Sequence, residues 1–186
     1  MKPVKTIGHS NHPVERFVDL LTAAGVEVLV DVRSTPYSRR FPQFGRERLA
    51  ARLATADILY RYEGAALGGK PQAGGSYEAL AARPEFGEAL DRLVAGAADT
   101  TLCLMCAEKE PLDCHRTVLV SRRLAERGAA VEHLLADGRS ELHAALEERL
   151  LADSKEGLPD LFTTEQDRAT RLARIWRARE RTMRRA

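Results

Sequence analysis

The sequence has 186 residues, 44% hydrophobic and 30% charged, which suits one domain with a proper core. Its formal net charge of +2 excludes a global field for nucleic acid, and no apolar run approaches the roughly 18 residues of a membrane span. Three cysteines, an odd count, argue against a disulfide framework; with no signal-peptide pattern at the N-terminus, a cytoplasmic setting is expected.

In chain order, "VKTIGH" (4–9) reads as a buried strand, and Pro13 to Ala24 as a helix. That helix has Val14, Phe17, Val18, Leu20 and Leu21 at helical spacing, Asn11 or His12 near its cap and Gly25 as its stop. "VEVLVDVR" (26–33) is a second strand, 46–54 a helix and "DILYRY" (57–62) a third strand. A helix over 84–97 precedes the strand "TTLCLMC" (100–106), and a helix over 114–127, closed by Gly128, precedes "AAVEHLL" (129–135). Near-continuous apolar strands alternating with helices predict an α/β three-layer sandwich, with a mostly parallel sheet of about five strands. Two Pro/Gly-rich loops, 34–45 and 63–77, are long enough to suggest function.

A boundary falls near "SKEGLPD" (154–160), dividing an α/β domain (1–153) from a C-terminal linker and helical extension (154–186). The helix expected over 164–185 carries a rough stripe of Ala169, Leu172, Ile175, Trp176 and Met183, which should pack back on the domain or on a partner. From Arg168 to Ala186 the chain has eight arginines against one acid, Glu180.

In a parallel sheet, ligands bind beyond the carboxyl ends of the strands. The predicted strands place His9 and Ser10, then Asp31, Arg33 and Ser34, then Arg61 and Glu63, at successive ends. Cys106 and Glu108, with Cys114-His115-Arg116 opening the next helix, stand at a fourth. Histidine suits proton transfer or anion donation, whereas Asp31-Val32-Arg33 reads equally as a structural ion pair. "Cys-x-x-Cys" followed by "Cys-His" reads as a zinc pattern in text. On a strand, however, Cys103 and Cys106 point to opposite faces, and a metal knuckle needs a turn between its first two ligands. Cys103 therefore goes to the core, and neither a metal nor a cofactor is expected. Cys114 at a helix N-terminus suits a lowered thiol pKa, with Asp113 as the N-cap.

With these residues in view, the sequence resembles the bacterial and archaeal family known as domain of unknown function 488. The matching stretches are "TIGHS" (6–10), "VDVRSTPYSRRFPQF" (30–44), "LYRYEGAALGG" (59–69), "LMCAEKEPLDCHR" (104–116) and "VEHLLADG" (131–138), and "PDLF" (159–162) looks like the end of longer members. The resemblance implies a bacterial α/β domain sharing His9, Ser10, Asp31, Arg33, Ser34, Pro36, Ser38, Phe44 and Tyr60 in its first half. In the second half it implies Leu67, Gly68, Gly69, Cys106, Glu108, Cys114, His115 and Arg116.

Three functions compete. The first is an enzyme or binding protein for an anionic small molecule carrying phosphate or a nucleobase. In it His9, Asp31, Cys106, Glu108 and His115 are the catalytic candidates. Ser10, Arg33, Ser34, Tyr37, Ser38, Tyr60, Gly68, Gly69, Cys114 and Arg116 hold substrate, with Tyr37, Phe41 and Tyr60 as a stacking wall. The second is a thiol enzyme, since "VDVRS" is similar to the strand-end Asp-x-Arg of rhodanese-like sulfurtransferases, although "CAEKEPLDCHR" lacks their glycine-bearing cysteine loop. The third is a nucleic-acid module using Arg39, Arg40 and the arginines of 168–185. No membrane partner is expected, and a homo-oligomer is compatible with the sequence.

Overall fold

A computed structural model describes residues 1–70, 75–154 and 164–183. Parts of the predicted features fall outside them: 71–74 of the second loop, most of the 154–160 boundary, "PDLF", and Arg184 and Arg185.

Five parallel strands form as the apolar runs require: Val4–Gly8 (β1), Val28–Asp31 (β2), Leu59–Tyr62 (β3), Leu102–Cys106 (β4) and Val131–Leu134 (β5). The sixth, Ser140–Leu142 (β6), pairs antiparallel with β5, giving the order β3-β2-β4-β1-β5-β6. Helices Val14–Ala23 (α1) and Arg46–Ala54 (α2) cover one face. There Phe17, Leu21, Leu49 and Leu53 pack with Ile7, Leu29, Cys103 and Met105.

The opposite face carries Pro84–Gly96 (α5), reached through the short helices Gly64–Leu67 (α3) and Tyr77–Ala81 (α4). It also carries a wide π-helical segment, Arg116–Ser121, that runs into Arg122–Glu126 (α6). His143–Ala152 (α7) and Glu165–Met183 (α8) complete that layer. Phe86, Leu90, Val118, Leu124, Leu146 and Trp176 pack there with Val30, Leu104 and Cys106. Strand period two thus divides the cysteines: Cys103 faces one layer and Cys106 the other, both buried. Each fully buried leucine contributes about 1.5–3 kcal/mol, so both layers anchor the sheet firmly.

The chain leaves β1 and β2 toward the α1/α2 layer but leaves β4 toward the other. Connections therefore part around the carboxyl end of β4, between β1 and β2, and open a crevice there. Loop closeness is enforced by glycine: a Cβ on Gly8 would lie 1.8 Å from the Glu108 carbonyl oxygen. Gly25 and Gly128, at φ +65° and +79°, end α1 and α6 in the left-handed region as expected of helix stops.

Several local expectations change. Residues 114–127 are not one regular helix but a π segment followed by α6. Asp113 does not cap it, because its carboxylate instead accepts from Arg179 of α8. Helix α1 begins after Pro13 with no side-chain cap from Asn11 or His12. Helix α8 does pack back: Leu172 and Trp176 are buried, Ile175 and Met183 lie against the same core, and Ala169 is exposed. A buried polar chain keys α7 and α8 to the sheet. Thr6 Oγ1 bonds His133 Nδ1 (2.8 Å), His133 Nε2 bonds His143 Nδ1 (3.0 Å), and His143 stacks on Trp176. Burial lowers the His143 pKa to about 4. No helix among the described residues is long and apolar enough to cross a membrane.

Candidate functional site

Beyond the ends of β1, β2 and β4 lies a cavity of about 660 Å³. Of the predicted site residues it is lined by His9, Arg33, Ser34, Tyr37, Ser38, Gly69, Cys106, Glu108 and His115. Asp31, Tyr60, Gly68, Cys114 and Arg116 stand behind this wall. Ser10 faces a neighbouring recess with Asn11, Arg40 and Lys109.

Two networks hold the wall. In the first, Asp31 is fully buried, and its Oδ1 accepts from the Arg33 backbone N–H (3.0 Å) and Nε (2.9 Å). Its Oδ2 accepts from Arg33 Nη2 (2.6 Å) and the Tyr60 hydroxyl (2.7 Å). Arg33 Nη2 also donates to the Phe44 carbonyl (2.8 Å), and Nη1 lies 3.3 Å from His9 Nε2. A guanidinium can only donate, so His9 Nε2 is the acceptor, and Nδ1 donates to the Ser10 carbonyl (2.9 Å). The His9 ring stacks on Phe44, with centroids 4.3 Å apart. Burial first, then the nearby Arg33, lowers its pKa to about 4, so a neutral imidazole faces the cavity at pH 7. Burial and the bond to Asp31 push the Tyr60 phenol up.

The second network gathers sulfur. Glu108 Oε2 lies 3.0 Å from Cys106 Sγ and 2.9 Å from Cys114 Sγ, while His115 Nδ1 lies 3.4 Å from Cys106 Sγ and 4.0 Å from Cys114 Sγ. His115 Nε2 donates to the Val32 carbonyl (2.9 Å), between Asp31 and Arg33 of the first network. Arg116 is completely buried, and its guanidinium donates to the Glu108 (2.6 Å) and Lys109 (3.3 Å) carbonyls, so it shapes the β4 loop. Glu108 is exposed as a residue, yet its Oε2 sits against both buried thiols.

Burial pushes the Cys106 thiol well up, as does Cys114 beside it. Burial also works to raise Cys114, but the hydrogen bond from Cys106, Arg116 and His115 together outweigh it and hold this thiol well below its ordinary value. The carboxyl of Glu108 is raised, by burial first and then by Cys114.

Gly69 belongs to the wall because nothing larger fits: a Cβ there would lie 2.3 Å from His115 Cγ. Gly68 packs as closely on Ser34. A family model described as "Domain of unknown function DUF488" matches residues 13–123. The chain belongs to the DUF488 family. No curated protein and no solved structure matches it.

The DUF488 match spans β2, β3, β4 and the π segment, which carry both networks apart from His9. Thr35, Lys70, Tyr77 and Thr182 also line the cavity and were not singled out in the sequence, whereas Asp113, expected as a helix cap, and Arg179 and Met183, expected on the C-terminal helix, reach it as well. Lys70 sits in the Pro/Gly-rich stretch expected over 63–77 and Tyr77 opens α4 at its end; the length of that stretch was the signal. Glu180 is buried and accepts from the Tyr77 backbone N–H (2.7 Å), seating α8 against the cavity. Its signal was a lone acid among arginines, one turn after Trp176. Of the basic residues, Arg39 and Arg40 are exposed on their loop, while Arg168 and Arg179 pair with Glu148 and Asp113. Glu63 pairs with Arg61 and Arg92.

Proposed function

We propose that this DUF488 protein binds an anionic small molecule, a phosphate ester or nucleobase-bearing compound, in the crevice at the end of β4, and acts on it as an enzyme. The carrying observation is that cationic and hydroxyl groups meet neutral His9 and a thiol at a topological switch point: Arg33, Lys70, Ser34 and Ser38 line one cavity with Cys106. Ser34 Oγ accepts from the Lys70 backbone N–H (3.1 Å), which leaves its own proton to donate toward a ligand. Tyr37, 63% exposed at the mouth, and Tyr77 offer flat surfaces to a ring. Arg33 serves as a fixed charge, because Asp31 and Phe44 lock it in place. His9 Nε2 already accepts from Arg33 Nη1, so the neutral imidazole braces that charge from the cavity side.

Equilibrium binding of inorganic phosphate and of nucleoside monophosphates to the full chain tests this reading. Binding is expected to weaken about tenfold in Lys70→Met, the scale of one lost charge-assisted contact. The reading fails if no anion in the panel binds, or if Lys70→Met binds them unchanged.

A further inference from the structure

We propose that Cys106 Sγ, Cys114 Sγ, His115 Nδ1 and Glu108 Oε2 together bind one thiophilic divalent cation, zinc by preference, at the floor of the crevice. These four atoms all lie within 4.8 Å of one another. Their separations of 2.9 to 4.0 Å, where hydrogen-bond distances define them, bracket the edges of a zinc tetrahedron, about 3.3–3.8 Å for bonds of about 2.0–2.3 Å. Two sulfurs and an imidazole favour a soft or borderline ion over magnesium or calcium, which take oxygen.

The orientation of His115 is the independent observation. A carbonyl can only accept, so Nε2 carries the hydrogen given to Val32, and in the neutral ring Nδ1 turns its lone pair toward the sulfurs. That arrangement, a ring nitrogen aimed inward and its other N–H tied to a backbone carbonyl, is how a protein fixes a metal-binding histidine. The Arg116 backbone N–H points at Cys114 Sγ (3.4 Å), a second support for a thiolate. Cys106, Cys114 and His115 are each at most 9% exposed, so hydration competes little for these atoms.

The sequence argued against zinc because Cys103 and Cys106 cannot share an ion. The structure agrees about that pair, since Cys103 packs in the other layer. The pair that converges is Cys106 with Cys114, joined by a loop that supplies the turn a strand lacks. Charges balance: two thiolates and one carboxylate carry three negative charges against two on the ion, and Arg116 offsets the remainder. Loading therefore releases to solvent whatever protons these groups still hold, that of the Cys106 thiol among them, and the reaction needs no oxidant.

The test uses the reduced full chain, stripped with a chelator and titrated with cobalt(II) and then zinc(II). One cobalt per chain should bind, with thiolate-to-cobalt charge-transfer absorption and the intense visible bands of a tetrahedral site, and zinc should bleach both. Cys103→Ala should keep these bands, whereas Cys106→Ser and Cys114→Ser should weaken binding by more than about 100-fold, beyond what losing a hydrogen bond to a metal ligand costs. A measurement that needs no variant is alkylation of the wild-type thiols, which zinc should slow at Cys106 and Cys114. The proposal is overturned if the wild type takes up no more cobalt than Cys106→Ser. It is equally overturned if zinc leaves alkylation unchanged, or if zinc-treated chain carries a Cys106–Cys114 disulfide. Anion binding is read separately, so either proposal can fail alone.

Discussion

Two clusters of similar residue types stand a few ångströms apart at one rim and are wired differently. Around Asp31, every acceptor meets its own donor: two bonds on Oδ1, two on Oδ2, and Arg33 bridging to His9 and Phe44. Around Glu108, both thiols address a single carboxylate oxygen, and the histidine turns a lone pair inward. The first is a closed network that fixes a guanidinium; the second has more electron pairs than protons. Counting donors against acceptors, rather than naming residues, separates a brace from a binding site.

The sharpest way to break the comparison is Asp31→Ala. It leaves a buried, uncompensated Arg33 and should cost about 3–5 kcal/mol of stability, measured by urea denaturation. A loss below about 1 kcal/mol would mean that Arg33 is held by something other than Asp31.

Acid comes next. The folded His9 pKa of about 4 lies below the ordinary 6.5, so the unfolded chain takes up the proton first. Stability is therefore full above pH 6.5 and is lost as pH falls toward 4, by about 3 kcal/mol when complete. His133 and His143 are lowered too and act in the same direction, so the readout is a difference between chains. His9→Gln should flatten the slope of stability against pH by about one proton between pH 4 and 6.5, and an unchanged slope would show that His9 titrates normally.

The smallest effect belongs to Tyr60→Phe. It removes one of four bonds to Asp31 and should cost about 1–2 kcal/mol in the same denaturation series. Anion binding should not change, because Tyr60 does not line the cavity.

Much of this was legible before the fold. Five strands, the helices over 14–23, 46–54 and 84–96, and a cavity at the ends of β1, β2 and β4 follow from apolar runs and glycine stops. The third expected end does not join them, because Arg61 and Glu63 pair with each other and do not line it. The short strand β6 and helix α7 were not anticipated: "SEL" is too brief to register, and α7 has only a weak apolar stripe. Asp31 and Glu108, two acids read alike in sequence, divide only when geometry assigns each oxygen a donor. The Val32 carbonyl that orients His115 has no side-chain signature at all. Period two along β4 did separate Cys103 from Cys106, and there the text pattern misled while the strand geometry did not.

The π-helical segment Arg116–Ser121 also bears on how this chain tolerates change. A π turn holds one residue more than an α turn, and one residue in an α-helix is about 100° of rotation. The wide turn takes up the extra residue between Cys114-His115 at one end and buried Leu124 at the other. Exchanging one apolar residue for another at Val118 or Val120 keeps the wide turn; deleting either leaves the residue count of an ordinary α turn, so the i→i+5 bonding has to give way to i→i+4. Over these six positions the length of the chain matters more than its lettering.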